Sequence, residues 1–100
     1  MNIPNHSGIK QYVLDEIIHF AKKAQIQKVI LFGSRARGDY WRASDIDLAV
    51  YGGDILAFEF DVKENTSTLL DFDIIDLGQN IDAKLRTSIE TEGILIYEKI

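Results

Sequence analysis

From Ile9 onward, Val13, Ile17, Phe20, Ala21 and Ala24 recur at intervals of mostly three and four, with Lys10, Glu16 and Lys23 among the polar positions. That spacing predicts an amphipathic helix beginning near Ile9. Lys28–Phe32 (KVILF) is a short apolar run closed by Gly33-Ser34, as expected of a fully buried strand. The stretch 35–44 is polar, basic and without period, and reads as an irregular loop. Residues 45–51 (DIDLAVY) alternate cleanly: Ile46, Leu48 and Val50 face one way, Asp45, Asp47, Ala49 and Tyr51 the other. Gly52-Gly53 ends that strand.

Asp54 is placed to cap a helix running to about Glu64, with Ile55, Phe58 and Val62 inward; the alternation of Phe58, Phe60 and Val62 also fits a strand. Residues 72–77 (FDIIDL) form the third strand. Asn80 or Asp82 caps a helix carrying Ile81, Leu85 and Ile89, and Gly93 suits the position just past its end. Residues 94–97 (ILIY) close the chain as a last strand. The order α-β-β-α-β-α-β predicts one α/β (α+β) domain over residues 1–100, a mixed four-stranded sheet flanked by helices, with 1–8 as a flexible lead-in.

Composition narrows the chemistry. One hundred residues make one domain at most. The absence of cysteine removes disulfides, zinc fingers, iron–sulfur clusters and thiol nucleophiles, and two histidines cannot build a multi-histidine metal site. No apolar run approaches the roughly 20 residues of a membrane span, and the N-terminus lacks the apolar core of a signal peptide, so a cytoplasmic location is expected. A net charge of −5 disfavours nucleic acid as a partner.

Within that acidic background, ten residues are aspartate, so a D-x-D pair alone carries little weight. Placement adds weight. On a strand, residues two apart share a face, so Asp45 and Asp47 present their carboxylates side by side. Two adjacent anions repel unless a cation sits between them, and Mg²⁺ suits one or two carboxylates plus phosphate oxygens. As a bland alternative, both would be solvent-facing residues of an edge strand. Gly33 allows close backbone approach to a phosphate, and the N–H groups of the turn with Ser34 can form an anion nest. Arg35, Arg37 and Arg42 could pair with phosphate or with local carboxylates such as Asp39. Asp73 shares a face with Ile75, while Asp76 points the other way. Tyr51 shares the Asp45/Asp47 face. Tyr40 and Trp41 are expected to pack against the sheet rather than stack on a base. His6 reads as a tail residue and His19 as a helix-surface residue.

Gly33-Ser34, ten residues, then Asp45-x-Asp47 is the G-S-x10-D-x-D string, preceded by a buried strand and followed by a third aspartate. In this it resembles the nucleotidyltransferase superfamily typified by DNA polymerase β. FGSRARGDYWRASDIDLAVYG and the tail FDIIDL…SIETEGILIYEKI are similar to its minimal nucleotidyltransferase (MNT) branch, over nearly all of 9–100. The resemblance implies that Gly33 and Ser34 hold the β- and γ-phosphates of ATP, with Arg35 nearest to that nest. It implies two Mg²⁺ ions on Asp45 and Asp47, with Asp73 completing the metal and catalytic carboxylates. It further implies transfer of AMP to a hydroxyl on a protein partner, a tyrosine of a HEPN-type toxin, with this chain as antitoxin. Two other outcomes fit the same residues: a silent antitoxin acting by occlusion, or nucleotidyl transfer to a small molecule or an RNA end.

Overall fold

The computed structural model describes residues 5–100. Asn5–Ser7 form a single 3-10 turn, followed by α1 (Gln11–Lys23), β1 (Lys28–Phe32), α2 (Ser34–Arg37) and β2 (Ile46–Tyr51). Then come α3 (Ile55–Asn65), β3 (Phe72–Asp76), α4 (Ala83–Glu92) and β4 (Ile94–Glu98). The strands form one sheet in the order β3-β2-β1-β4. β1 runs antiparallel to β2 and β4, and β2 runs parallel to β3, so the sheet is mixed as expected.

Alternation divides the sheet into two unequal faces. Val29, Leu31, Ile46, Leu48 and Val50 pack with Val13, Leu14 and Ile17 of α1 and Phe58 and Val62 of α3, the large core. The other face is covered thinly. Phe32, Ala49 and Ile89 are buried there, supported by Ile30, Ile75 and Leu85. Strand parity puts Asp47 and Asp73 on this thin face, where a carboxylate avoids the apolar core.

Local chemistry explains the boundaries. The α1 apolar face faces the core, and Lys22 and Lys23 sit in its last turn, where cations suit the helix dipole. Asp54 caps α3 by accepting from the Ala57 N–H at 3.1 Å, which settles the helix against the strand alternative. Among the described residues, no helix is long and apolar enough to cross a membrane.

Four expectations change. Residues 1–4 lie outside the described residues, but Asn5–Ser7 are not a loose lead-in. Ser7 is buried and its carbonyl accepts from Arg35 at 2.9 Å, and His6 Nε2 lies 3.2 Å from the Ala36 carbonyl. The 35–44 loop opens with α2, one helical turn started by Gly33 and closed by left-handed Gly38. Gly93 ends α4 at φ −68°, so its use is close approach rather than left-handed backbone: a side chain there would strike the Ile89 carbonyl and Ile30. Trp41 is 73% exposed instead of packed, whereas Tyr40 lies 4.6 Å from the Arg35 guanidinium, face on to a cation.

Candidate active site

Sequence-distant carboxylates meet because of strand order. In the parallel β2–β3 register, Asp47 stands opposite Asp73, and Ile46 opposite Phe72. Asp45 immediately precedes β2 and is exposed, like Asp73; Asp47 is half-buried. The Ile46 N–H donates to the Asp71 carbonyl at 2.9 Å, tying the start of β2 to the chain entering β3. Asp76, on the opposite face, accepts from the Gly78 N–H and builds the turn after β3 instead.

The Gly33-Ser34 turn reaches the same place through β1. Phe32 pairs with Asp47 across the antiparallel β1–β2 ladder, so the next residue, Gly33, leaves the sheet directly beside the Asp47 carboxylate. Gly33 has φ 74° and ψ −158°, a region open essentially to glycine alone. A Cβ at this position would run into the Asp47 carboxylate. Two constraints therefore fix glycine here, and both place the first turn of α2 against the acidic cluster. The Gly33 carbonyl accepts from the Ala36 and Arg37 N–H groups, and Ser34 opens the helix.

The electrostatics follow from the crowding. Burial, then the charges of Asp73 and Asp45, push the Asp47 carboxyl up from 3.8 to about 6, against the opposing pull of Arg37 and Arg35. Among the described residues, neither Asp45, Asp47 nor Asp73 is in an ion pair. Nor, among the described residues, do three carboxylates or imidazoles converge into a ready-made metal cage. An all-oxygen, carboxylate-only donor set that lacks a cage fits Mg²⁺, which keeps several waters and takes the rest of its ligands from substrate.

The arginines divide by role. Arg35 does not stand free for a phosphate. It is 2% exposed, and its guanidinium donates to the carbonyls of Ser7, Ser44 and Arg42 at 2.9, 3.0 and 3.3 Å. Its side chain shapes the loop that carries Asp45. Arg37 is the accessible cation near Asp47; it pairs with Asp39 at 3.1 Å and Glu92 at 3.3 Å. The tie to Glu92 on α4 crosses most of the chain and leaves no local signal in the sequence.

The polymerase β nucleotidyltransferase family model matches residues 15–100, a span that holds the Gly33-Ser34 turn and all three aspartates. The chain belongs to this nucleotidyltransferase family. Putative protein adenylyltransferase MJ0604 of Methanocaldococcus jannaschii is 40% identical over 68 residues, 68% of this chain and 64% of that protein. This chain thus matches less than two thirds of that relative's length. The crystal structure of a toxin–antitoxin with AMP-PNP superposes with a TM-score of 0.67 at 26% identity, covering 86% of this chain and 73% of that one. A variant of the toxin–antitoxin MntA-HpeT superposes at 0.64 and 25% identity, over 85% and 72%. A Shewanella oneidensis protein at 18% identity and a TM-score of 0.62, over 91% and 74%, shares the fold.

Proposed function

We propose that this nucleotidyltransferase domain moves AMP from ATP to a hydroxyl of a protein partner and acts as an antitoxin. The partner would be a HEPN-type toxin and the acceptor one of its tyrosines, with the reaction running in the cytoplasm. The observation that carries the reading is the pairing of Asp47 with Asp73 across β2 and β3, with Asp45 alongside and Gly33 leaving the sheet beside Asp47. The adenylyltransferase name of the archaeal relative and the AMP-PNP toxin–antitoxin structure support the choice of nucleotide and partner class.

In this mechanism the turn at Gly33 and Ser34 receives the β- and γ-phosphates. The glycine lets the backbone approach, and the first N–H groups of α2 would donate to the phosphate oxygens. Arg37, whose charge is felt at Asp47, would add positive charge to the leaving phosphates. Asp45, Asp47 and Asp73 would hold Mg²⁺, up to two ions, which supplies charge neutralisation of the phosphates and activation of the acceptor oxygen. The acceptor oxygen bonds to the α-phosphorus, the bond to the β-phosphate bridging oxygen breaks, and pyrophosphate departs. Asp73, the most exposed of the paired carboxylates, takes the acceptor proton. Positioning and charge compensation carry the rate; the protein forms no bond of its own.

Incubation with the partner and ATP labelled at either the α- or the γ-phosphate tests this. Label should reach the partner protein only from the α position. Transfer from the γ position would make the reaction phosphorylation. Inhibition of the partner without any label would mean neutralisation by occlusion.

A further inference from the structure

A groove of about 680 Å³ lies between the start of α1, segment 40–43 and segment 67–70, and it contains none of the site aspartates. Ile9, Val13 and Leu70 give it an apolar lining, and Trp41 and Leu69 stand largely exposed at its walls. The chain has 16 acidic residues against 11 basic ones, yet among the described residues no carboxylate lines this groove, whereas Lys10 and Arg42 do. An apolar trough with cationic edges on an acidic protein is a local reversal of the overall charge.

Both walls are held in place. Ser67 donates through its N–H and its hydroxyl to the two carboxylate oxygens of Glu16, at 2.8 and 2.6 Å, pinning one wall to α1. Arg35 pins the other through the Ser44 and Arg42 carbonyls. A surface ordered before binding loses less entropy on binding. The walls also lead into the site. Segment 40–43 runs through Ser44 into Asp45, segment 67–70 runs through Asp71 into β3, and the two are joined by the Ile46–Asp71 hydrogen bond. Whatever fills the groove lies beside the strand ends that carry Asp45, Asp47 and Asp73.

We infer that this groove docks the acceptor protein, and that it takes an amphipathic segment whose apolar side chains are flanked by carboxylates. The inference rests on the transfer reading above and adds where the acceptor is gripped and by what chemistry. Apolar burial supplies the affinity, and the Lys10 and Arg42 edges favour an acidic segment over a basic one. Single-stranded nucleic acid would need more cation than these two edges offer against a net charge of −5.

Trp41 is the only tryptophan of the chain, so the groove carries its own reporter. The probes are a short synthetic amphipathic peptide with leucines on one face and glutamates flanking them, its lysine-flanked counterpart, and oligouridylate. The glutamate peptide should shift Trp41 emission to the blue, and the other two should leave it unchanged. A Lys10→Glu/Leu69→Glu double variant, changed at two exposed positions, should bind that peptide at least about tenfold more weakly with an unaltered thermal melt. With the acceptor protein, the same variant should raise the KM for acceptor by a similar factor while the KM for ATP holds. An unmoved Trp41 signal with the glutamate peptide overturns the inference. So does a larger shift with oligouridylate, or a self-association whose dilution moves Trp41 emission to the red. Absent transfer with intact peptide docking contradicts the transfer chemistry alone. Transfer indifferent to the double variant contradicts the docking site alone.

Discussion

Asp47 and Asp73 face each other in the parallel register of β2 and β3, on the sheet face that the helices cover least. Their mutual repulsion, with Asp45 adjacent, favours a cation between these carboxylates. Asp47→Asn and Asp73→Asn should therefore each lower AMP transfer by about 100-fold or more, with circular dichroism unchanged. A variant that keeps near-full turnover would remove that carboxylate from the mechanism.

The raised Asp47 pKa has a consequence for stability. Its folded value of about 6 lies above the unfolded 3.8, so the folded state holds the proton more tightly. That contribution is fully present below about pH 4 and is lost as pH rises through about 6. Solvent screening of a half-exposed group limits it to about 1 kcal/mol. In the absence of divalent cations, Asp47→Asn should thus be the more stable protein at pH 7.5, with the advantage gone near pH 4. Urea midpoints of the two proteins across this range, compared as a difference, provide the check.

Proton and cation compete for the same carboxylate. Stabilisation by added Mg²⁺ should weaken as pH falls below about 6, because binding must then displace the Asp47 proton. Thermal shift against Mg²⁺ concentration at pH 5.5 and 7.5 measures this directly. Equal shifts at both values would place the ion elsewhere.

Much of this arrangement is legible in the sequence, for definite reasons. Strand period fixes which face Asp45, Asp47, Asp73 and Asp76 take, and the Gly33-Ser34 spacing to Asp45 ties the turn to the strand. What the sequence hides depends on partners far along the chain. Arg35 reads as a phosphate ligand because a loop arginine beside a glycine turn usually faces solvent. Only the fold brings the Ser7 carbonyl to it. Trp41 reads as packed because a large aromatic normally is, and nothing local reveals that segment 67–70 stops short of covering it. Gly93 has the right residue at the right place for a left-handed cap, yet its neighbours use its lack of a side chain instead.

Gly33→Ala tests the closeness of the turn to the carboxylates. A methyl group would meet both an unfavourable backbone region and the Asp47 carboxylate. The cost should be about 1–3 kcal/mol in stability, with a still larger loss in nucleotide affinity. A variant of unchanged stability that still binds ATP would place the turn farther from Asp47.

Arg35 should behave as a structural residue. Removing a buried guanidinium that serves three carbonyls costs about 2–4 kcal/mol in Arg35→Ala, and Arg35→Lys should restore only part of it, because an ammonium cannot span the same fork. Denaturant titration of both variants gives the comparison. A stable Arg35→Ala protein with a selective defect in ATP binding would return this side chain to the phosphates.

The most direct measurement is the intact mass of the partner protein after incubation with this chain, ATP and Mg²⁺, beside the Asp45→Asn/Asp47→Asn double variant. A gain of one or more adenylate units on the partner is expected with the native chain and none with the variant. An unmodified partner in both samples, or equal modification by the variant, would contradict it.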